Sequence, residues 1–238
     1  MAEESAAGYM CLATMDLPTD QVDLYDQLLC EAASIFKTHD WRLLVSAQKA
    51  AQFDVIGEPP GLVRKLLHLW SIPSFDSLPQ VMAYAADDPS YVKSEALTID
   101  EMQNLYIALR WNDPIDLPDT PVAFYMMETL QMADSVAGRE NFANYMSNAV
   151  YQMNTSYGWK ILFAGNAATG LIDQYVNIWG MADTTKLEAA ITAYRSPTSW
   201  SAGVVRVATS MWTPRPLTCF DGPGTPATPP ASAGANAG

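Results

Sequence analysis

Two histidines occur in this chain, His39 and His68, and the second sits in an apolar run, Leu66-Leu67-His68-Leu69-Trp70. Imidazole titrates near neutrality, so His68 is the first candidate for a general acid or base. Glu128 is the second, alone among apolar neighbours in Tyr125-Met126-Met127-Glu128-Thr129-Leu130. A carboxylate so placed is either buried, with a raised pKa and the makings of a base, or partnered by a cation. Arg206, in the run Val204–Trp212, is the candidate cation and a candidate stabiliser of an anion or enolate. Asn177 has the amide to donate to a developing oxyanion. Trp70, Tyr175, Trp179 and Ser210 complete the set as substrate contacts. The plainer alternatives are a core histidine bonded to a neighbour, a solvated glutamate at a strand end, and tryptophans that only pack. His39, beside Asp40 and Trp41, reads as an exposed loop residue.

Other chemistries recede. The formal net charge of −13 disfavours nucleic-acid phosphates and anionic membranes, both of which attract Lys and Arg clusters. No stretch approaches about 20 uninterrupted apolar residues, the length that spans a bilayer. The acidic start, MAEESAAGYM, lacks the pattern of a secretory signal. Cys11, Cys30 and Cys219 are odd in number and widely spaced. That fits neither a disulfide framework nor a zinc knuckle, so reduced thiols and a cytoplasmic location are expected. No His, Cys and carboxylate cluster has metal-ligand spacing, and neither metal nor cofactor is expected. Gly165–Gly170 (GNAATG) lacks the Lys-Ser/Thr of a phosphate loop, and no serine is flanked by the glycines of a nucleophile elbow.

Strands and helices must bring the candidates together. Apolar residues make up 49% and charged residues 16%, ample for a core. Met10–Met15 reads as a strand, Leu24 to Phe36 as a helix with one apolar face, and Trp41–Ser46 and Leu66–Trp70 as strands. Ser77–Ala86 is a helix with Pro79 in its first turn, and Asn104–Trp111 a fourth strand. The order is β-α-β-β-α-β, the ferredoxin-like pattern. After a Pro/Asp-rich linker, Asn112–Pro121, it restarts: Val122–Leu130 is a strand, and Phe142, Met146, Ala149, Val150 and Met153 share a helical face. Trp159–Ala164 and Tyr175–Trp179 are strands, a helix opens at Thr185 with Glu188 in capping-box spacing, and Val204–Trp212 is the last strand.

The tryptophans support a duplication. Trp41 matches Trp159, Trp70 matches Trp179 and Trp111 matches Trp212, at offsets of 118, 109 and 101, while Trp200 falls opposite Tyr91. Residues 8–116 and 120–217 then form two ferredoxin-like repeats, an α+β intramolecular barrel, and residues 218–238 a disordered Pro/Ala/Gly tail. Strand alternation puts His68 with Trp70, and Tyr175 with Asn177 and Trp179, opposite the aliphatic pairs Leu67/Leu69 and Val176/Ile178. The aliphatic faces are expected against the helices and the polar-aromatic faces in the space between the sheets.

The strands WRLLVS and GWKILFAG, the HLW strand followed by SFDSL, and DDPSY resemble the NIPSNAP-like branch of the dimeric α+β barrel superfamily, over roughly residues 8–215. Members similarly carry Gly-Trp-Lys and His-Leu-Trp strands, a helix and an acidic-Pro-Trp end. The second copy departs from them with Asn177 where the family-like histidine would stand. Relatives in the superfamily include cofactor-free monooxygenases, polyketide cyclases, lactone isomerases and haem enzymes; haem-binding members place the axial histidine in a second unit, where this chain has none. The resemblance and the residues together imply a cofactor-independent enzyme acting on a small hydrophobic or aromatic metabolite by acid–base chemistry, of cyclase or isomerase type. A cofactor-free monooxygenase, or a non-catalytic ligand- or partner-binding protein, is the alternative, with a homodimer as an expected assembly.

Overall fold

Strands buried on both faces make up the centre of the protein. The computed structural model describes residues 8–50, 62–109, 122–133, 137–147, 156–170, 173–182, 184–194, 203–215, 217 and 219–220. In β1 (Tyr9–Pro18), Cys11, Ala13, Met15 and Leu17 alternate with Met10 and Leu12, and all six are buried. Such a strand has no polar phase. A 3-10 turn (Thr19–Gln21) follows, then α1 (Val22–Glu31), α2 (Ala33–Thr38), β2 (Arg42–Lys49), β3 (Val63–Ile72), α3 (Ser77–Ala86), α4 (Pro89–Leu97) and β4 (Asp100–Ala108). The second half comprises β5 (Phe124–Met132), α5 (Gly138–Tyr145), β6 (Trp159–Ala167), β7 (Gln174–Met181), α6 (Leu187–Tyr194) and β8 (Val204–Pro214).

The eight strands close into one barrel in the order β1-β3-β2-β8-β5-β7-β6-β4, with every pairing antiparallel. Each half contributes four consecutive strands, β4-β1-β3-β2 and β8-β5-β7-β6. The halves meet at two short seams. At one, Ala47, Gln48 and Lys49 pair with Pro214, Thr213 and Trp212; at the other, Tyr106, Ile107 and Ala108 pair with Ala167, Asn166 and Gly165. Gly165 is required there, because a Cβ would collide with the Phe163 ring.

Three cores result. One contains strand residues from both halves and no helix residue, Leu67, Leu69, Val176, Ile178, Tyr106 and Phe163 among them; this is the barrel interior. The others lie between each half-sheet and its helices: Trp70 and Leu66 with Tyr25, Phe36 and Val81, and Tyr175 and Trp179 with Phe142 and Met146. The facing is therefore opposite to that expected. The aliphatic pairs fill the barrel, and the polar-aromatic faces lie under the helices. Alternation separates a strand's two faces but does not label them when both are buried. An eight-stranded barrel is narrow enough for its own side chains to fill, and here branched aliphatics with Tyr106, Tyr125, Phe163 and Trp212 take that space, while His68, Glu128 and Asn177 lie on the helix side.

Element boundaries shift in instructive ways. Ser77–Ala86 forms as expected. The long first helix breaks at Ala32, whose N–H bonds the carbonyls of Leu28 and Cys30, and β1 runs through the expected turn to Pro18. Helix α4 has no counterpart among the expected elements. Its start signal is nonetheless present: Pro89 opens the helix and the Asp88 carboxylate accepts from the N–H groups of Ser90 and Tyr91, both at 2.9 Å. The connection around residues 51–61, the linker at 112–121 with Trp111, the face residues Ala149, Val150 and Met153, and Trp200 lie outside the described residues.

The end of the chain corrects two expectations. Cys30 in α1 is disulfide-bonded to Cys219, and only Cys11 is a free cysteine. Counting and spacing cannot reveal a bond across 189 residues. Nor does the ordered chain stop at residue 217: Phe220 is buried, its ring 5.1 Å from Trp70. Just ahead, Arg215 donates from Nε to Asp26 at 2.6 Å and from Nη2 to Asp23 at 2.7 Å. The segment after β8 thus straps the second half onto α1 of the first. Reducing the disulfide is expected to lower unfolding free energy by about 2–4 kcal/mol, seen as a lower urea midpoint with dithiothreitol than without. No helix among the described residues is long and apolar enough to cross a membrane.

Candidate functional site

His68 lies in the middle of β3, opposite Ala13 of β1 and Ser46 of β2. It is 2% exposed, and its Nε2 has no hydrogen-bond partner. The neighbouring Ser46 hydroxyl is buried and partnerless as well. Native proteins leave few buried polar atoms unpaired, and two side by side call for an explanation such as a bound water or ligand. The space beside His68 is a cleft on the helix side of the first half. Its enclosed volume is about 30 Å³, and the chamber holds one or two waters.

Each wall has a local cause. Cys11 and Ala13 of β1 form the floor beside His68 and Trp70 of β3, as register dictates. Helix α1 lowers Tyr25 onto His68, with ring centroids 6.2 Å apart, and Trp70 meets the imidazole edge-on at 6.1 Å. At the mouth, α4 brings Tyr91 and Glu95, one helical turn apart, against Glu101 and Gln103 on one face of β4.

Burial sets the protonation states. Desolvation, with the positive Arg215 adding to it, lowers the His68 pKa to about 4, so the imidazole is neutral at neutral pH. Burial raises Glu95 to about 7, helped by the neighbouring Glu101. The Cys11 thiol is pushed up to about 12 by burial and stays protonated. Tyr25 and Tyr91 are likewise held well above the ordinary phenol range by burial. Between the His68 and Glu95 values, a proton acceptor and a proton donor coexist in one cleft, the arrangement that separates acid and base roles.

The corresponding place in the second half is built differently. Strand register sets Glu128 opposite Asn177, where the first half has Ala13 opposite His68. Glu128 is fully buried. Its carboxylate accepts from Trp179 Nε1 at 2.7 Å, Asn177 Nδ2 at 3.1 Å and the Tyr145 hydroxyl at 3.4 Å. Desolvation raises its pKa and these donors pull it back. Tyr175 stacks on Phe142 at 4.4 Å. A side chain thus fills in one half the room that Ala13 leaves in the other.

The expected site residues therefore fall in three places. His68 and Trp70 share the first-half cleft. Glu128, Tyr175, Asn177 and Trp179 lie under the second-half helices. Ser210 accepts from Trp212 Nε1 at 2.8 Å, and Trp212 belongs to the barrel interior. Glu128 is held by Trp, Asn and Tyr donors, and the expected ion pair with Arg206 falls on a side chain outside the described residues. Thr209 is the β8 residue opposite Glu128, whereas Arg206 stands opposite Gln131 and its side chain lies outside the described residues. Tyr25, Tyr91, Glu95, Glu101 and Ala13 were not among the expected residues. The signal for three of them was the Asp88-Pro89 helix start, which brings Tyr91 and Glu95 round to face Glu101. His39 lies in the turn after α2 against the Tyr84 ring at 4.8 Å.

No family model matches the sequence, and no curated protein does. Solved structures do. Similar in fold are a candidate monooxygenase from Lactobacillus acidophilus (9% identity, 87% of this chain and 93% of that one, TM-score 0.53), a haem-binding protein from Thermus thermophilus (10%, 89% and 92%, 0.52) and a chlorite dismutase variant from Candidatus Nitrospira defluvii (8%, 90% and 93%, 0.56). Among the described residues a haem does not fit: the chamber beside His68 has no slot for a planar macrocycle, and the corresponding place in the second half carries Asn177 in a filled core. At identities of 8–10% the likeness is one of architecture. The chain has an α+β fold around a closed eight-stranded antiparallel barrel, the fold of the dimeric α+β barrel proteins.

Proposed function

We propose that this chain is a cofactor-independent enzyme that moves a proton on a small hydrophobic or aromatic metabolite, in the manner of a cyclase or isomerase, within the helix-side cleft of its first half. One observation carries the reading: a fully buried imidazole whose Nε2 has no partner borders a cleft. His68 is the base. Its neutral lone pair accepts a proton from an acidic O–H or C–H, and the apolar floor excludes the water that would compete. Trp70 and Tyr25 give a flat substrate its walls. Glu128, Asn177 and Trp179 belong to the folding of the second half, and the enzyme is a tandem duplication of a ferredoxin-like, NIPSNAP-like unit in which one copy kept the site. The matching strand orders of the halves and the Trp70/Trp179 correspondence support the duplication. The disulfide favours a compartment that sustains such bonds over the cytoplasm.

A second reading is a cofactor-free monooxygenase. Fold neighbours that include a candidate monooxygenase support it, and the same deprotonation would yield a carbanion able to react with O₂. An oxygen electrode separates the two, because only the second consumes O₂ with substrate. The cleft itself is tested by Ala13→Leu, which fills the floor beside His68. At a stability cost of about 1–3 kcal/mol, it is expected to abolish the quenching of tryptophan fluorescence by a panel of phenols and fused-ring ketones. Unchanged binding would place the site elsewhere.

A further inference from the structure

Glu95 and Glu101 are brought onto one cleft wall by a two-residue connection, Thr98 and Ile99. Helix α4 ends at Leu97, Thr98 donates its N–H to the Glu95 carbonyl at 3.0 Å, and Ile99 donates to the Asp16 carbonyl at 2.8 Å as β4 begins. This tight corner folds a helix residue and a strand residue onto the same cleft wall. Around Glu95 stand Tyr91 on its own helix, Tyr25 on α1, Cys11 on β1, and His68 across the cleft on β3. Among these, none is a cation. Lys93 acts on Glu31 and Arg215 pairs with Asp23 and Asp26. A neighbouring carboxylate on the same cleft wall, with no cation between them, raises the cost of ionising Glu95. The second observation is independent of the acids: His68, which lines the same cleft, has a buried Nε2 with no hydrogen-bond partner.

Resting on the reading of the cleft as an active site, we propose that Glu95, beside Glu101 on the cleft wall, is the catalytic acid opposite His68, and that the reaction is a proton relocation with no net redox change. The substrate's acidic C–H bond breaks, its electron pair stays on the substrate as an enolate, and the proton moves to His68 Nε2. The Glu95 O–H bond then breaks toward the new carbon or oxygen position, leaving a carboxylate. The imidazolium proton returns to Glu95 through water in the mouth. One proton leaves the substrate, one arrives, and no electron acceptor is needed. The substrate class follows: a small, largely flat carbonyl compound or its enol, with an acidic C–H one bond from the carbonyl.

The test uses the full disulfide-bonded chain with Glu95→Gln and Glu101→Gln. Infrared difference titration of the wild type is expected to show a protonated-carboxyl band that disappears as pH rises through about 7. The Glu95 band should be missing in Glu95→Gln and should titrate at lower pH in Glu101→Gln. A near-neutral band of undiminished intensity in Glu95→Gln overturns the proposal, because Asp26, raised to about 6 by burial, and Glu128 contribute to both spectra alike and cancel in the difference. With a turned-over carbonyl compound, Glu95→Gln is expected to lose about a hundredfold in kcat and the alkaline limb of the pH profile, keeping the acid limb set by His68. Full activity in Glu95→Gln removes Glu95 from the chemistry while leaving His68 and the cleft in place. Should His68→Asn be as active as the wild type, the reading of the cleft fails instead, whatever the infrared result.

Discussion

Replacing Glu128 with Ala is expected to cost about 3–5 kcal/mol of stability, a large share of the roughly 5–15 kcal/mol that holds a domain together. Three donors converge on this carboxyl: the Trp179 indole, the Asn177 amide and the Tyr145 hydroxyl. Truncation removes the acceptor they share in a core where Asn177 and Trp179 have no exposure at all, and each hydrogen bond lost there costs about 1–3 kcal/mol. The lost volume adds a cavity penalty. Gln fills the volume and keeps one acceptor oxygen, so Glu128→Gln should cost only about half as much. The pH dependence carries a definite sign. Burial raises the folded pKa of Glu128 above its unfolded value, so its stabilisation is complete at low pH and is lost as pH rises through the folded value. The gap between wild type and Glu128→Gln should therefore narrow toward alkaline pH. Urea titrations at several pH values decide it. An effect of Glu128→Ala below about 1 kcal/mol would mean that water reaches the donors, and that Glu128 lies in an accessible site rather than a core.

Much of this layout is legible in the residues, and the unreadable parts have physical causes. Strands such as β3 and β7 are evident because their apolar runs are short, tryptophan-terminated and followed by helix-start patterns. The histidine worth attention was also visible, since an ionisable group amid Leu and Trp is either paired or functional. Which way it points was not. Leu66–Trp70 is buried on both faces, and period-2 alternation then defines two faces without naming the outer one. The expected constellation of His68, Glu128 and Arg206 would need residues of two halves to meet inside the barrel, and that space is closed by Tyr106, Phe163 and Trp212. Glu95 and Glu101 were invisible for another reason. Each looks like a surface acid in its own segment, and only the corner between α4 and β4 makes them neighbours. The disulfide depends on where the last residues of β8's extension return, which no local pattern encodes.

The asymmetry between halves sharpens the role of His68. If its imidazole were only a core residue, a fold that supplies Glu128 with three partners would be expected to supply His68 Nε2 with one. Instead Ala13 opposite it leaves room, and the nitrogen has no partner. That is a stability defect beside a cleft, as expected of a site whose partner is a ligand.

Replacing His68 with Leu is therefore expected to act in opposite directions on function and stability. Turnover should fall by about 10²–10⁴, the usual contribution of a positioned base. Stability should rise at pH 7 by about 1 kcal/mol, because an apolar group of similar size removes an unsatisfied buried nitrogen. Acid makes the contrast larger. The folded pKa of His68 is depressed from 6.5 to about 4, so its wild-type contribution is complete above the unfolded value and is lost as pH falls through the folded one. Between those values the unfolded chain takes up a proton that the native state refuses, a loss of about 3 kcal/mol by pH 4. His68→Leu lacks that loss, and its advantage over wild type should widen from pH 7 to pH 4 in parallel urea titrations. Raised buried carboxyls such as Glu95 oppose this slope in both proteins alike and cancel in the difference. Should His68→Leu be less stable than wild type at every pH, Nε2 would have a partner worth more than the apolar contact, and the histidine would be a structural residue of the first-half core.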